Sequence, residues 1–249
     1  MSRQESCDLP DGLLFYATQP RPCSYLDTEQ AASIIADPTA ILNSSIYNQL
    51  AAAGFRRSGK DIYRPTCLHC SACIPLRIPT NFSSNRNQKR TWKRNQDLTC
   101  KILPATFNAE HYDLFKYYLQ SRHPEGGMAD TDQEQYLEFL TSYWSKTRFI
   151  EFRDNKKLLA VAVTDYLDSA LSSVYTFFDP EQSRRSLGTY SILYQLELVK
   201  QLDMNWLYLG YWIEACPTMR YKADFQPCEG FIDGRWQIMD RTDQNFTGK

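Results

Sequence analysis

The chain has 249 residues, and its 28 Lys and Arg nearly balance 29 Asp and Glu, for a net charge of −1. Hydrophobic residues at 43% are enough for a packed core, and charged residues at 23% are ordinary for a globular protein. Mean hydropathy is −0.51 and no apolar run nears the ~20 residues that span a bilayer, so a helical membrane protein and a disordered chain are both excluded. The first residues carry no basic stretch followed by an apolar one, so a cytoplasmic location with reduced thiols is expected.

In chain order, residues 28–37 and 44–53 read as short helices, the second closed by Gly54. Phe55 to Arg64 reads as a hairpin about Ser58-Gly59. Three thiols follow within seven residues, Cys67, Cys70 and Cys73, a spacing that turns several sulfurs toward one centre. Tetrahedral zinc and iron–sulfur clusters both accept such thiolates. Cys23 is the nearest fourth ligand, with His69 and Cys100 as rivals; buried, inert thiols are the other reading.

A short strand at 74–78 precedes a basic helix. Between Gly54 and Lys101 eleven Lys and Arg stand against two Asp, a local charge of +9, which leaves −10 on the rest of the chain. Within it Arg86, Lys89, Arg90, Lys93 and Arg94 recur at i, i+3, i+4, i+7 and i+8, one cationic stripe on a helix with Trp92 beside it. Like charges at i, i+4 repel, so the stripe costs stability unless a polyanion binds, and nucleic acid is the expected partner.

Residues 98–103 read as a strand, and the character of the chain changes near 95–105. We therefore expect a cysteine-containing basic subdomain over 1–100 and a second domain over 101–249. Residues 108–122 and 132–144 have helical periodicity. Three strand-like runs (149–152, 158–166, 171–178) turn at Asn155 and Asp168 and suggest an antiparallel meander. A loop at 184–189, a helix at 189–202, a strand at 205–211, a short helix at 217–223 and a hairpin over 230–239 about Asp233-Gly234 complete the chain. The class this order implies is α+β, with the last strands joined across a helix.

The run Arg185-Ser186-Leu187-Gly188-Thr189-Tyr190, between a strand and a helix, resembles the phosphate-cradling signature of the GNAT acyltransferase superfamily. Further strings extend the likeness. They are Cys23-Ser24-Tyr25-Leu26, Gly54-Phe55-Arg56-Arg57-Ser58-Gly59, Tyr63-Arg64-Pro65 with the three thiols, Gly210-Tyr211-Trp212-Ile213, and Cys216 through Pro227. Together, over about residues 15–240, they resemble the bacterial branch of the arginyl-tRNA–protein transferase family, and within it the aspartate/glutamate leucyltransferases. The resemblance implies a GNAT-like acyltransferase sheet. It implies transfer of leucine from leucyl-tRNA to proteins beginning with Asp or Glu, marking them for degradation, with no cofactor needed for transfer. An iron–sulfur cluster held by Cys23, Cys67, Cys70 and Cys73, as in eukaryotic relatives, is a further implication, with zinc as the alternative.

Residue by residue, Arg86, Lys89, Arg90, Lys93, Arg94 and His123 are candidates for tRNA contact. Tyr190 and Tyr211 are placed to line a reaction centre, and Glu214 to accept the amine proton. An acidic acceptor demands a cation, for which Arg56, Arg57, Arg220 and Lys222 are candidates. Two alternatives stay open from sequence: an arginyl donor in the same reaction, and a non-catalytic nucleic-acid-binding module with a structural zinc site.

Overall fold

The computed structural model describes residues 9–122 and 131–239. Strands β1 (Phe15–Ala17), β4 (Ser33–Ala36), β5 (Arg56–Ser58) and β6 (Asp61–Pro65) form an antiparallel sheet in the order β1-β4-β6-β5, and β2 (Arg21–Pro22) pairs with β3 (Gln30–Ala31) beside it. Helix α1 (Ser44–Ala52) starts at Asn43, whose side chain accepts the Ile46 amide at 2.9 Å, and buries Tyr47 and Leu50 against Phe55 and Ile62.

Within residues 28–37, Gln30–Ala31 and Ser33–Ala36 are therefore strands and not the helix their sequence suggested. Ile34 and Ile35 are β-branched, and both ladders claim them: Ile35 faces Tyr16 on one side and Tyr63 on the other. Two-sided pairing outweighs the local pattern.

A second sheet has eight strands in the order β14-β13-β7-β12-β11-β10-β9-β8. Its members are β7 (Ile74–Pro79), β8 (Thr99–Pro104), β9 (Thr147–Asp154), β10 (Lys157–Tyr166), β11 (Ala170–Phe178), β12 (Trp206–Trp212), β13 (Glu229–Ile232) and β14 (Arg235–Ile238). β9 to β11 form the expected meander, and β8, the strand expected over 98–103, adds to its β9 edge. β13 and β14 turn through Asp233 and Gly234, at φ 51° and 77°. β7 lies between β12 and β13, so residues from before and after position 100 share one sheet.

Helices cover both faces. Alternation along β9 and β10 sends Ile150, Ala160 and Ala162 toward α5 (Leu187–Gln201), and Phe149, Val161 and Val163 toward α3 (Ala109–Arg122) and α4 (Gln133–Leu140). Helix α4 ends at Leu140 and not at 144, because Thr141 is extended and Trp144 leaves to pack on Tyr47, ring centroids 5.0 Å apart. Helix α2 (Arg86–Arg94) lies on the α5 side, with Trp92 against Tyr190 at 5.5 Å. The mixed sheet with helices on both faces agrees with the α+β class expected from the element order.

Candidate functional site

β11 and β12 are the parallel pair, joined by α5 as a crossover. They pair only from Ala170 to Ser172 against Trp206 to Tyr208 and diverge beyond, leaving a wedge-shaped gap. Divergence strips backbone carbonyls of ladder partners, and two cations fill the wedge. The Arg56 guanidinium donates to Leu209 O at 3.3 Å and to Ser173 O and Val174 O, bridging both strands. Gly210 makes room for it: at φ 70° its backbone is left-handed, and a Cβ there would stand 1.2 Å from Arg56 Nη1. Lys222 closes the same gap further along, its Nζ donating to Tyr211 O at 2.8 Å. Burial first, and then the Arg56 charge, push the Lys222 ammonium down to about 7.

Lys222 belongs to a short turn, Tyr221–Asp224, which follows α6 (Pro217–Arg220). The start of α2 docks on this turn. Asn85 caps α2 in a reciprocal box with Gln88, and the Gln88 side chain reaches Asp224 O at 3.1 Å. The other end of α2 docks before α5: Asn95 Nδ2 donates to Arg185 O at 2.9 Å, and Arg185 pairs with Asp97 at 2.8 Å. Between α2 and the start of α5 runs a groove of about 440 Å³, whose lining includes Asn85, Arg90, Arg94, Thr189, Tyr221 and Phe225. Ser186, at φ 54°, turns the chain into α5 without a side-chain cap, so the first amides of the helix are not satisfied by its cap residue. The basic stripe is solvent-facing: Arg86, Lys89, Arg90, Lys93 and Arg94 are exposed, while Gln88 and Thr91 face inward.

Several thiols lie in the neighbourhood of Cys73. Cys73 stands just before β7, and burial first, then the neighbouring Cys67, Cys23, Cys70 and Cys216 thiols, push its own thiol up to about 12. Cys67 Sγ lies 3.5 Å from the Ala32 amide. The donor set is all thiol and suits zinc or an iron–sulfur cluster in chemistry. Among the described residues no group of three or more potential ligands is arranged to hold a metal ion. Cys100 is elsewhere, on β8, with its sulfur 3.9 Å from the Tyr190 hydroxyl.

The remaining candidates are scattered. Tyr190, 3% exposed, packs between Trp92 and Phe152 in the core. Tyr211 lies against the wedge through its backbone, but its hydroxyl turns to the small sheet and donates to Tyr63 O at 3.0 Å. Glu214 is exposed beyond β12, and its carbonyl accepts from Arg220 Nε at 3.0 Å. Arg57 is wholly buried, bound by Asp165, and takes no part in the wedge. His123 lies outside the described residues. The sequence reading missed Asn85, Gln88 and Asn95, the amides that seat α2, and Tyr221, which joins groove to wedge. The S/T/D/N-x-x-E/Q cap pattern at Asn85-Gln88 was the one signal available for any of them.

Comparison with known proteins points one way. A family model described as the N terminus of arginine-tRNA-protein transferase matches residues 21–90, and one described as its C terminus matches residues 110–232. An aspartate/glutamate leucyltransferase of Nitrosococcus oceani is 51% identical over 230 residues, covering 92% of this chain and 97% of that one. Proteins of the same name from Teredinibacter turnerae and Pseudomonas fluorescens are 50% and 45% identical, each covering 92% of this chain and 95% and 97% of theirs. With both family models in order along it, and near-half identity to relatives over most of its length, the chain belongs to the arginine-tRNA-protein transferase family.

Proposed function

We propose that this protein transfers leucine from leucyl-tRNA to the N-terminal Asp or Glu of acceptor proteins. The observation that carries the reading is the identity of 45–51% to aspartate/glutamate leucyltransferases along nearly the whole chain. In the reaction the acceptor α-amine attacks the leucyl ester carbonyl. A C–N bond forms, the bond to the tRNA 3′ oxygen breaks, and the amine proton is released as that oxygen becomes a hydroxyl. The ester is already activated, and the α-amine, with an ordinary pKa of about 7.7–8.0, is partly neutral at pH 7. Orientation then supplies much of the acceleration.

The diverging pair β11 and β12 with α5 between them is the basis for reading the large sheet as GNAT-like. In that reading the groove between α2 and α5 takes the unpaired tRNA end, with Tyr221 and Phe225 as stacking surfaces and the exposed stripe on phosphates. Changing Lys89, Arg90 and Lys93 to Gln should weaken leucyl-tRNA binding and raise its KM in the transfer reaction. The salt dependence of binding should flatten by up to roughly 0.7–0.9 for each phosphate no longer neutralised. Folding should not suffer, since like-charge repulsion is relieved. Unchanged tRNA affinity at low and moderate salt would assign the stripe to plain solvation.

The thiols of Cys23, Cys67, Cys70 and Cys73 are proposed to hold zinc or an iron–sulfur cluster. Bound there, the metal would staple the loop between β6 and β7 to the segment holding Cys23; no step of transfer passes through it. Protein purified without oxygen should carry about one zinc or a visible iron–sulfur absorption, and Cys70→Ala should lose it while Cys228→Ala keeps it. Metal-free anaerobic protein would reduce the four to structural thiols.

A further inference from the structure

The wedge between β11 and β12 holds more positive charge than its carbonyls need. Arg56 spends its Nη1 and Nη2 groups on Leu209, Ser173 and Val174, which leaves Nε–H and one Nη1 hydrogen. Lys222 spends one of three hydrogens on Tyr211 O. Neither forms an ion pair with a carboxylate among the described residues. The pair is also mutually repulsive, as the lowered Lys222 pKa records. Strand carbonyls alone would be satisfied by neutral donors, so a guanidinium and an amine that an incoming anion would hold protonated, both with spare hydrogens, match an anion that arrives from outside.

The surroundings narrow which anion. The gap is so close that a Cβ on Gly210 would collide with the guanidinium. The cavity lined by Arg56, Gly210 and Tyr211 has room for only about 20 Å³, far too little for a phosphate flanked by two riboses. Tyr221, which lines the α2–α5 groove, is adjacent in sequence to Lys222, so the wedge opens beside the place proposed for the tRNA end. The other candidate cations are otherwise engaged: Arg57 is paired in the core with Asp165, and exposed Arg220 donates to Glu214 O.

We propose that Arg56 and Lys222 together read the side-chain carboxylate of the acceptor's first residue, with Gly210 as the residue that admits Arg56. The inference rests on the transfer reading above and adds which groups select Asp and Glu. Held there, the carboxylate would set the adjacent α-amine toward the leucyl ester in the groove.

The test compares kcat/KM for peptides beginning with Asp and with Asn, identical otherwise, using leucyl-tRNA as donor. Asn keeps the shape and removes the charge. Lys222→Met and Gly210→Ala, the latter displacing Arg56, should each lower the Asp/Asn ratio by roughly 10- to 100-fold, the weight of a charge-assisted hydrogen bond. Leucyl-tRNA affinity, measured separately, should hold. A general structural injury would slow both peptides alike and leave the ratio intact. A fall of the ratio in either variant, with tRNA affinity kept, supports the assignment, and the wild-type ratio in both overturns it. The wild-type protein separates the two levels: if it moves leucine to no peptide, the transfer reading fails and the assignment with it.

Discussion

Arg57→Ala is expected to destabilise the protein by about 3–5 kcal/mol, the cost of leaving a buried charge without its partner. Both side chains of the pair are 0% exposed. Arg57 Nη2 reaches Asp165 Oδ1 at 2.7 Å and also donates to Leu140 O at 2.9 Å. Asp165 further accepts the Thr147 hydroxyl at 2.6 Å and the Tyr47 hydroxyl at 3.0 Å. The pair thus ties β5 of the small sheet to β10 of the large one, with α1 and the end of α4 drawn in. Removing the guanidinium strands an ionised carboxylate in the core, and total stabilities are only about 5–15 kcal/mol. Urea unfolding should show the loss as a lower midpoint at unchanged slope. The double variant Arg57→Met/Asp165→Leu should recover most of it, because the penalty is the orphaned charge and not the absence of the bond. A loss below about 1 kcal/mol in Arg57→Ala would mean that water reaches Asp165.

That pair also shows where sequence reading reaches its limit. Arg56 and Arg57 are neighbours on one strand, and strand geometry sends them to opposite faces. One enters the wedge at Leu209 and the other the core at Asp165, more than a hundred positions along the chain. From sequence both are equal candidates for an acidic acceptor, since nothing local separates them. The α2 stripe was legible because helical periodicity alone sets which residues share its face. The meander from β9 to β11 was legible because its turns and alternation are local signals. Residues 28–37 were not, since their strand state depends on β1 and β6 on either side. The insertion of β7 beside β12 is a long-range pairing that no spacing announces. The wedge follows from it: β7 holds one edge of β12, β11 leaves the other, and the freed carbonyls collect Arg56 and Lys222.

Acceptor choice is where the largest effect on activity is expected, near all-or-none between peptides. On the proposed assignment, peptides beginning with Asp or Glu bring a carboxylate to the wedge, and those beginning with Ala bring none. A site built to bond a charged group rejects a ligand that lacks it, because its own desolvated donors are then left unpaired. Donor choice rests on the family's leucyl-transferring relatives, and arginyl-tRNA serves as the control. The decisive measurement offers purified protein labelled leucyl-tRNA or arginyl-tRNA together with peptides beginning with Asp, Glu or Ala. Leucine should appear on the Asp and Glu peptides and not on the Ala peptide. Equal labelling of all three would contradict the acidic-acceptor claim, and label passing from arginyl-tRNA alone would contradict the leucyl donor.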